Sequence, residues 1–335
     1  MKEINVLSLF DGKGCGLLAL NSAQIPVANY FASEIDKPAM TVAKHNFPHI
    51  NHVGDICNIN PDDYKNIDLI IGGSPCQSIS AAGKLKGITT NDGQVIDSLV
   101  KYLLLKDMGY SYDKSSLKYF NASCLFWEYV RVYQGIKKHN PEVKFLLENV
   151  VNKFWGLLIS NEMGVNPIKI NSSTVSAQNR NRYYWTNITY LPISNRKLTL
   201  DSVIPNAVCG VGTRGVPQKN WKYSKKNPFL HIQKTTVRKD YLANCLTASG
   251  GELTRKYMDI NGEIHIINIE QAEQLQTVPI GYTNVPGVSQ YQRFKMLGNG
   301  WTVEVIAHFF KCMKIEIETI EDLTHYLKFI DFITE

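Results

Sequence analysis

The stretch Ile67-Asp68-Leu69-Ile70-Ile71-Gly72-Gly73-Ser74-Pro75-Cys76-Gln77 decides the reading of the chain. The apolar run Leu69-Ile70-Ile71 has the length and branching of a strand buried in a parallel sheet. It stops at Gly72-Gly73. Pro75 fixes its own φ and holds Ser74 extended. Cys76 is thereby presented just past the carboxyl end of a strand, where open α/β sheets carry their chemistry. A free cysteine is ordinarily small, buried and inert. The Gly-Gly-Ser-Pro frame marks this one as a candidate nucleophile.

Upstream, Val6-Leu7-Ser8-Leu9-Phe10 reads as a first strand. Asp11-Gly12-Lys13-Gly14-Cys15-Gly16 is a glycine-rich turn, and Leu17-Leu18-Ala19-Leu20 begins a helix. Strand, turn and helix in that order open a nucleotide-binding α/β unit, although a Gly turn is also simply a tight turn. No Gly-Lys-Ser/Thr follows, so it is not a P-loop. A second strand, Val27 to Ala32, runs into Glu34, at the distance where an acidic residue binds ribose hydroxyls; a surface carboxylate is the alternative. A third segment ends in Gly54-Asp55-Ile56. Successive strand ends thus carry polar or reactive residues.

Downstream, residues 84–124 are irregular, with a short apolar helix from Ser98 to Leu105 and a tyrosine-rich polar stretch from Tyr110 to Asn121. They read as an insertion. Leu125 to Ile136 has the pattern of an amphipathic helix. Val143 to Leu147 is a strand ending at Glu148-Asn149-Val150, which places a carboxylate for chemistry or for capping. Ile168–Ile170 and Tyr183–Ile188 read as a strand pair. Between them, Arg180 and Arg182 would point to one face of a strand, suited to gripping an anion or a base edge, or lining a solvated edge. From Ser202 to Lys239 there is no acidic residue, while eight are basic: Arg214, Lys219, Lys222, Lys225, Lys226, Lys234, Arg238 and Lys239. With Trp221, Tyr223 and Phe229 interspersed, this segment either tracks phosphates or is solvated surface. Composition changes near 190. Leu297-Gly298-Asn299-Gly300-Trp301 reads as another Gly turn before an apolar helix, Val303 to Phe310. The acidic and apolar tail from Ile315 reads as one or two peripheral helices.

The chain has 335 residues, a length that suggests roughly two domains. Its 44% hydrophobic and 20% charged content is ordinary for a globular protein. The seven cysteines form no CxxC pair, arguing for reduced thiols and against a zinc site or a disulfide framework. No apolar run is long enough to span a bilayer and no signal peptide is visible, so a cytoplasmic protein is expected.

Together these segments resemble the cytosine-C5 DNA methyltransferase family, in the family's order from 4 to 312. Phe10-Asp11-Gly12-Lys13-Gly14 is similar to its first motif and Gly73-Ser74-Pro75-Cys76-Gln77 to its nucleophile motif. Glu148-Asn149-Val150 resembles the ENV motif, and Gln178-Asn179-Arg180-Asn181-Arg182 the QxRxR motif. Ile269 to Gln276 resembles the ninth motif and Gly298-Asn299-Gly300 the last. Phe10-Asp11-Gly12 and Gly300-Trp301-Thr302-Val303 lean toward phage and Dnmt3-like members.

The resemblance implies an α/β fold: a Rossmann-like S-adenosylmethionine-dependent sheet over 1–189, completed by 297–335, with a smaller, loop-rich target-recognition domain and hinge over 190–296. It implies Cys76 as nucleophile, Glu148 and Arg182 on the target base, and Arg180 in support. Phe10, Asp11, Gly12, Gly14, Glu34, Ile35, Asp55, Ile56, Pro75, Leu125, Asn299 and Trp301 would bind S-adenosylmethionine, with no metal. Gln77, Ser80, Ala82, Lys84, Lys86, Arg214, Lys222, Lys225 and Lys226 would meet double-stranded DNA. The insertion at about 88–121 is longer than usual in the family and would sit at the edge of the DNA cleft. A monomer in a prokaryotic or phage-infected cell is implied, with a cognate restriction endonuclease as a candidate partner. The rival readings are a tRNA cytosine-C5 methyltransferase, whose Cys-Phe-Thr signature is absent, and a non-catalytic DNA-binding relative.

Overall fold

The structure is a computed structural model. It describes residues 2–75, 88–214, 234–248 and 254–334, without side chains at 212–214, 234–236 and 321–334. Cys76, Gln77, Ser80, Ala82, Lys84, Lys86, Lys222, Lys225 and Lys226 lie outside the described residues, as does the side chain of Arg214. The chain divides into two compact units. One comprises Met1–Ile170, Asn181–Pro192 and Ile306–Glu335; the other comprises Asn171–Arg180 and Ile193–Val305. The second unit thus includes 171–180 and 297–305, which the sequence reading grouped with the catalytic domain.

The first unit is built on a seven-stranded sheet. Its strands are β1 (Ile4–Leu9), β2 (Val27–Ser33), β3 (Asn51–Gly54), β4 (Leu69–Gly72), β5 (Lys144–Asn149), β6 (Ile168–Asn171) and β7 (Asn181–Thr186). The order across the sheet is β3-β2-β1-β4-β5-β7-β6. β1 pairs in parallel with β2 and with β4, and β4 in parallel with β5, so the order reverses direction beside β1. Such a reversal is where open α/β sheets bind ligands, at the carboxyl ends of their strands. β7 runs antiparallel to β5. Leu69, Ile70 and Ile71 are fully buried, as their unbroken apolar run requires.

The crossovers are helical. α1 (Cys15–Ser22) starts after Gly14, whose φ of 82° suits glycine. α2 (Lys37–Asn46) carries a proline in its first turn. α3 (Leu99–Asp107) is capped by Ser98, whose side chain accepts from the Lys101 N–H. α4 (Leu125–His139) has Glu128 in its first turn and Lys137, Lys138 and His139 in its last, in line with the helix dipole. α5 (Lys153–Met163) ends on Gly164 in the left-handed region.

The irregular segment from 88 to 124 forms part of the core. Ile88, Ile96, Tyr102, Leu105, Tyr110 and Phe120 are buried in one apolar cluster with Ile56, Ile59 and Trp127. Tyr102, Tyr110 and Tyr112 surround the Phe120 ring with centroids 4.9, 5.7 and 5.3 Å away. The Asn121 amide holds the carbonyls of Thr89 and Thr90 at 2.8 and 3.1 Å, closing the insertion on itself.

The second unit contains a four-stranded antiparallel sheet that the sequence reading treated as loop. β8 (Ala207–Arg214), β9 (Lys234–Val237), β10 (Lys256–Asp259) and β11 (Ile264–Ile266) lie in the order β11-β10-β8-β9. Two short helices follow, α6 (Ile269–Leu275) and α7 (Gln290–Asn299), each opened by a capping box: Asn268 with Gln271, and Ser289 with Gln292. The Gly turn expected at 297–301 is shorter than expected, because Leu297, Gly298 and Asn299 finish α7. The tail is one helix, α8 (Val303–Thr334), continuous from the apolar segment at 303–310. From Ile306 onward this helix belongs to the first unit, where Phe309 and Phe310 are fully buried and Phe309 packs on Tyr184 and Tyr190.

Gly298 is required by a close approach. A β-carbon there would lie 2.2 Å from the backbone carbon of Thr247, which cannot move aside as a flexible side chain can. Gly298→Ala is expected to destabilise the protein by about 3 kcal/mol, the high end for overpacking; urea unfolding of the variant against wild type measures this.

Candidate active site

The carboxyl ends of β1, β2 and β3 are tied together by hydrogen bonds. Glu34, just past β2, accepts from the Gly12 N–H at 2.9 Å and from the N–H groups of Ile35 and Asp36 at 2.7 and 2.8 Å. Its carboxylate therefore fixes the glycine turn against the neighbouring strand end. Ser33 Oγ donates to the Gly54 carbonyl at 2.8 Å, linking the ends of β2 and β3. Asp55 then caps its own turn, accepting from the Cys57 N–H at 2.9 Å. Phe10, Gly12 and Gly14 have positive φ values of 59°, 66° and 82°, which lift the turn away from the strand. A β-carbon built on Gly12 or Gly54 meets nothing within 4 Å, so both face open space. Ile35 is 67% exposed beside them. Backbone N–H donors, an accepting carboxylate and a bare apolar side chain are features that an adenosine-bearing ligand could use.

Asp11 differs from the expectation of a ligand-facing carboxylate. It is buried, and Oδ1 accepts from the Tyr30 hydroxyl at 2.6 Å. Burial pushes its carboxyl up to about 6, against the pull of the Tyr30 hydrogen bond; the negative charge of Glu34 adds to the rise and Lys13 opposes it. Asp11 supports the turn from beneath, and Tyr30, a residue that sequence reasoning missed, is its partner. The period of β2 carried the signal, since Tyr30 and Ala32 are the inward positions of that strand.

The turn after β4 is described as far as Pro75. Ser74 is buried, and the Asn149 amide donates to its carbonyl at 3.2 Å and to its hydroxyl at 3.0 Å. The side-chain oxygen of Asn149 accepts from the Val150 N–H at 2.7 Å. The end of β5 thus fixes the turn that leads into residue 76. Glu148 sits one residue earlier. Its Oε1 lies 3.0 Å from Arg182 Nε, with both side chains largely buried. In the antiparallel register Glu148 faces Tyr184, so Arg182 is its diagonal neighbour on the same face.

Arg180 and Arg182 do not share a face, contrary to the sequence reading. Arg180 precedes β7 and belongs to the second unit, whereas Arg182 is in β7 and belongs to the first. Arg180 is buried. Its guanidinium donates to the carbonyls of Leu246 at 2.9 Å, Gly298 at 3.0 Å and Gly300 at 2.7 Å, and contacts Cys245 Sγ at 3.4 Å. With these acceptors it clamps backbone rather than gripping a free anion. Of the remaining expected site residues, Leu125 begins α4 half-buried, Asn299 is exposed at the end of α7, and Trp301 is buried after it.

Asp11 gives a pH dependence with a definite sign. Its folded value of about 6 lies above the ordinary 3.8, so the stability linked to its proton is complete below 3.8 and is lost as pH rises through about 6. The loss is on the order of 3 kcal/mol, at 1.36 kcal/mol per pKa unit. Asp11→Asn keeps an acceptor for Tyr30 and is expected to be more stable than wild type at about pH 8, with the difference vanishing on acidification. Urea unfolding across that range checks it.

Comparison with known proteins finds partial matches in sequence and a broad match in fold. Residues 4–107 match the family model "C-5 cytosine-specific DNA methylase". The chain is similar to the orphan methyltransferase M.Rho11sI of Bacillus phage rho11s, 38% identical over 105 residues, which are 30% of this chain and 21% of that protein. It is 39% identical to the type II methyltransferase M.NgoPII of Neisseria gonorrhoeae over 107 residues, 31% of this chain and 30% of that one. The matched stretches thus span less than a third of these relatives' length. Among solved structures, Entamoeba histolytica methyltransferase EhMeth aligns with a TM-score of 0.62 at 14% identity, covering 95% of this chain and 99% of that one. A putative DNA modification methyltransferase from an Escherichia coli prophage aligns at 0.56 with 16% identity, covering 94% and 100%. These alignments establish a common fold. The match to the C-5 cytosine-specific DNA methylase model is confined to residues 4–107, whereas the shared fold extends over nearly the whole chain.

Proposed function

We propose that this protein transfers a methyl group from S-adenosylmethionine to C5 of a cytosine flipped out of duplex DNA, through a covalent bond between Cys76 and C6. The observation that carries the reading is the Glu148–Arg182 pair, 3.0 Å apart at the end of β5, beside the Ser74–Pro75 turn that Asn149 holds. A carboxylate and a guanidinium side by side can meet the polar edge of a cytosine, with a thiol following on the adjacent strand end.

Each group has a task. Cytosine C5 is a poor nucleophile. Attack by the Cys76 thiolate at C6 forms a C–S bond and moves the C5–C6 electron pair toward C5, which becomes enamine-like. Glu148 hydrogen-bonds N3 and the exocyclic amine and favours protonation at N3 as the adduct forms. Arg182 binds O2. When bound, S-adenosylmethionine would supply an electrophilic methyl group on sulfonium, which C5 would take as the S–CH3 bond breaks and S-adenosylhomocysteine is left. A base then takes the C5 proton, the C5–C6 double bond re-forms and the Cys76 thiolate leaves. The target carbon is out of reach inside a duplex, so the base must be extruded.

The cradle of Phe10, Gly12 and Gly14 would hold the cofactor, with Glu34 at the ribose, and Ile35, Asp55 and Ile56 at the adenosine end. Pro75, Leu125, Asn299 and Trp301 are assigned to the same ligand. Arg180 is a positioning residue that shapes the segments ending at Leu246 and Gly300. Gln77, Ser80, Ala82, Lys84 and Lys86, together with Arg214, Lys222, Lys225 and Lys226, are proposed to meet the DNA. Among the described residues no helix is long and apolar enough to cross a membrane.

The test uses labelled S-adenosylmethionine with unmethylated duplex DNA and, separately, tRNA, followed by bisulfite sequencing. Label at C5 within one short DNA sequence is expected, with none from Cys76→Ala. Glu148→Gln is expected to lower kcat on the order of a hundredfold or more, as loss of a positioned proton-handling group does. Label on tRNA alone would assign an RNA substrate instead.

A further inference from the structure

Glu128 is a fully buried carboxylate outside the reacting groups, and both of its oxygens are engaged. Oε1 accepts from the Tyr102 hydroxyl at 2.6 Å and from Lys106 Nζ at 2.7 Å, both on α3 of the insertion. Oε2 accepts from Arg131 Nε at 2.6 Å. The two remaining nitrogens of Arg131 reach the carbonyls of Ile59 at 2.9 Å and Ile56 at 3.1 Å. Those carbonyls bracket the short turn that follows β3, the turn capped by Asp55. A continuous set of charge-assisted hydrogen bonds therefore runs from the insertion, through one carboxylate and one guanidinium, to the third strand end of the candidate cofactor cradle.

This arrangement is more than packing. A buried carboxylate needs its partners, because removal of one leaves charge uncompensated in a low dielectric. Tyr102 is held as a donor, since burial and the Glu128 carboxylate together push its hydroxyl well above the ordinary tyrosine range. Lys106 also lies over the Tyr102 ring, 5.6 Å from its centroid. All three nitrogens of Arg131 donate within this network, so its grip on the turn follows the position of Glu128. The insertion fixes Glu128 from the other side.

We propose that Tyr102 and Lys106, acting through Glu128 and Arg131, are positioning residues for cofactor binding: the insertion holds the Asp55–Ile59 turn in the shape that receives the adenosine end of the ligand. This rests on the functional reading above and assigns the insertion to the cofactor rather than to the edge of a DNA cleft.

The test measures S-adenosylhomocysteine binding calorimetrically for wild type, the Tyr102→Phe/Lys106→Met double variant and Lys106→Arg. Steady-state assays give kcat and separate KM values for cofactor and DNA, and thermal melts report folding. The double variant is expected to bind about tenfold more weakly, with a matching rise in cofactor KM and with DNA KM and saturated kcat unchanged. Lys106→Arg keeps the charge and donor and is expected to retain wild-type affinity. Affinity of the double variant within about twofold of wild type overturns the proposal, even where its melting temperature falls. A raised DNA KM with cofactor affinity intact overturns it too, and returns the insertion to the nucleic acid. If wild type itself binds no S-adenosylhomocysteine, the functional reading fails and the proposal fails with it.

Discussion

The candidate site depends on how closely β1 and β4 can pair. Leu9 lies opposite Gly72 in a parallel register, and a β-carbon at Gly72 would stand 2.6 Å from the Leu9 carbonyl oxygen. Only glycine permits this approach. It brings the turn after β1, with its open glycine backbone, beside the turn after β4, which leads to the thiol. A larger residue at position 72 would separate two strands whose pairing is buried on both faces. The chemistry proposed for the strand ends therefore rests on a contact that contains no reactive group.

Around that pairing, the strand ends are locked one to the next by polar side chains. Glu34 secures the first turn to the second strand end, Ser33 links the second to the third, and Asn149 links the fifth to the fourth. Each uses a side chain where a sheet would otherwise end in unpaired backbone. Links of this kind order the strand ends without a ligand, and a site ordered in advance has a lower ordering cost of recognition. Asp11 is the exception. It is a carboxylate buried under the turn, held by the Tyr30 hydroxyl, and its raised affinity for a proton is the cost of that position.

Sequence alone exposed the first unit because its signals are local. Leu69-Ile70-Ile71 is a strand on composition alone, and Gly12, Glu34 and Glu148 stand where a strand stops. It failed where structure is non-local. The sheet from β8 to β11 escaped notice because Ala207–Arg214 carries glycines where a strand ordinarily carries branched residues, and its partners are remote in sequence. The two arginines misled because alternation was applied beyond the strand: Arg180 precedes β7 and turns to backbone carbonyls. The insertion looked featureless because its order comes from pairings such as Thr90 with Phe120, which no short window contains. Gly298 looked like a turn residue, but its glycine is imposed by Thr247 rather than by the backbone conformation at 298 itself.

The interleaving of the two units has a consequence for how the protein is made. The first unit lacks a strand until Asn181–Thr186 has been synthesised, and lacks the aromatic cover of Tyr184 and Tyr190 until Phe309 has emerged. The second unit waits in turn for Gly298 and Gly300, which complete the acceptors of Arg180. A chain of this kind cannot finish one body on the ribosome and then begin the next, as proteins with sequential domains do. Its open sheet edge at β5 must stay unpaired while more than thirty residues pass. Protection of that nascent edge, rather than the stability of the finished fold, is the step at which the cell's chaperones would matter most.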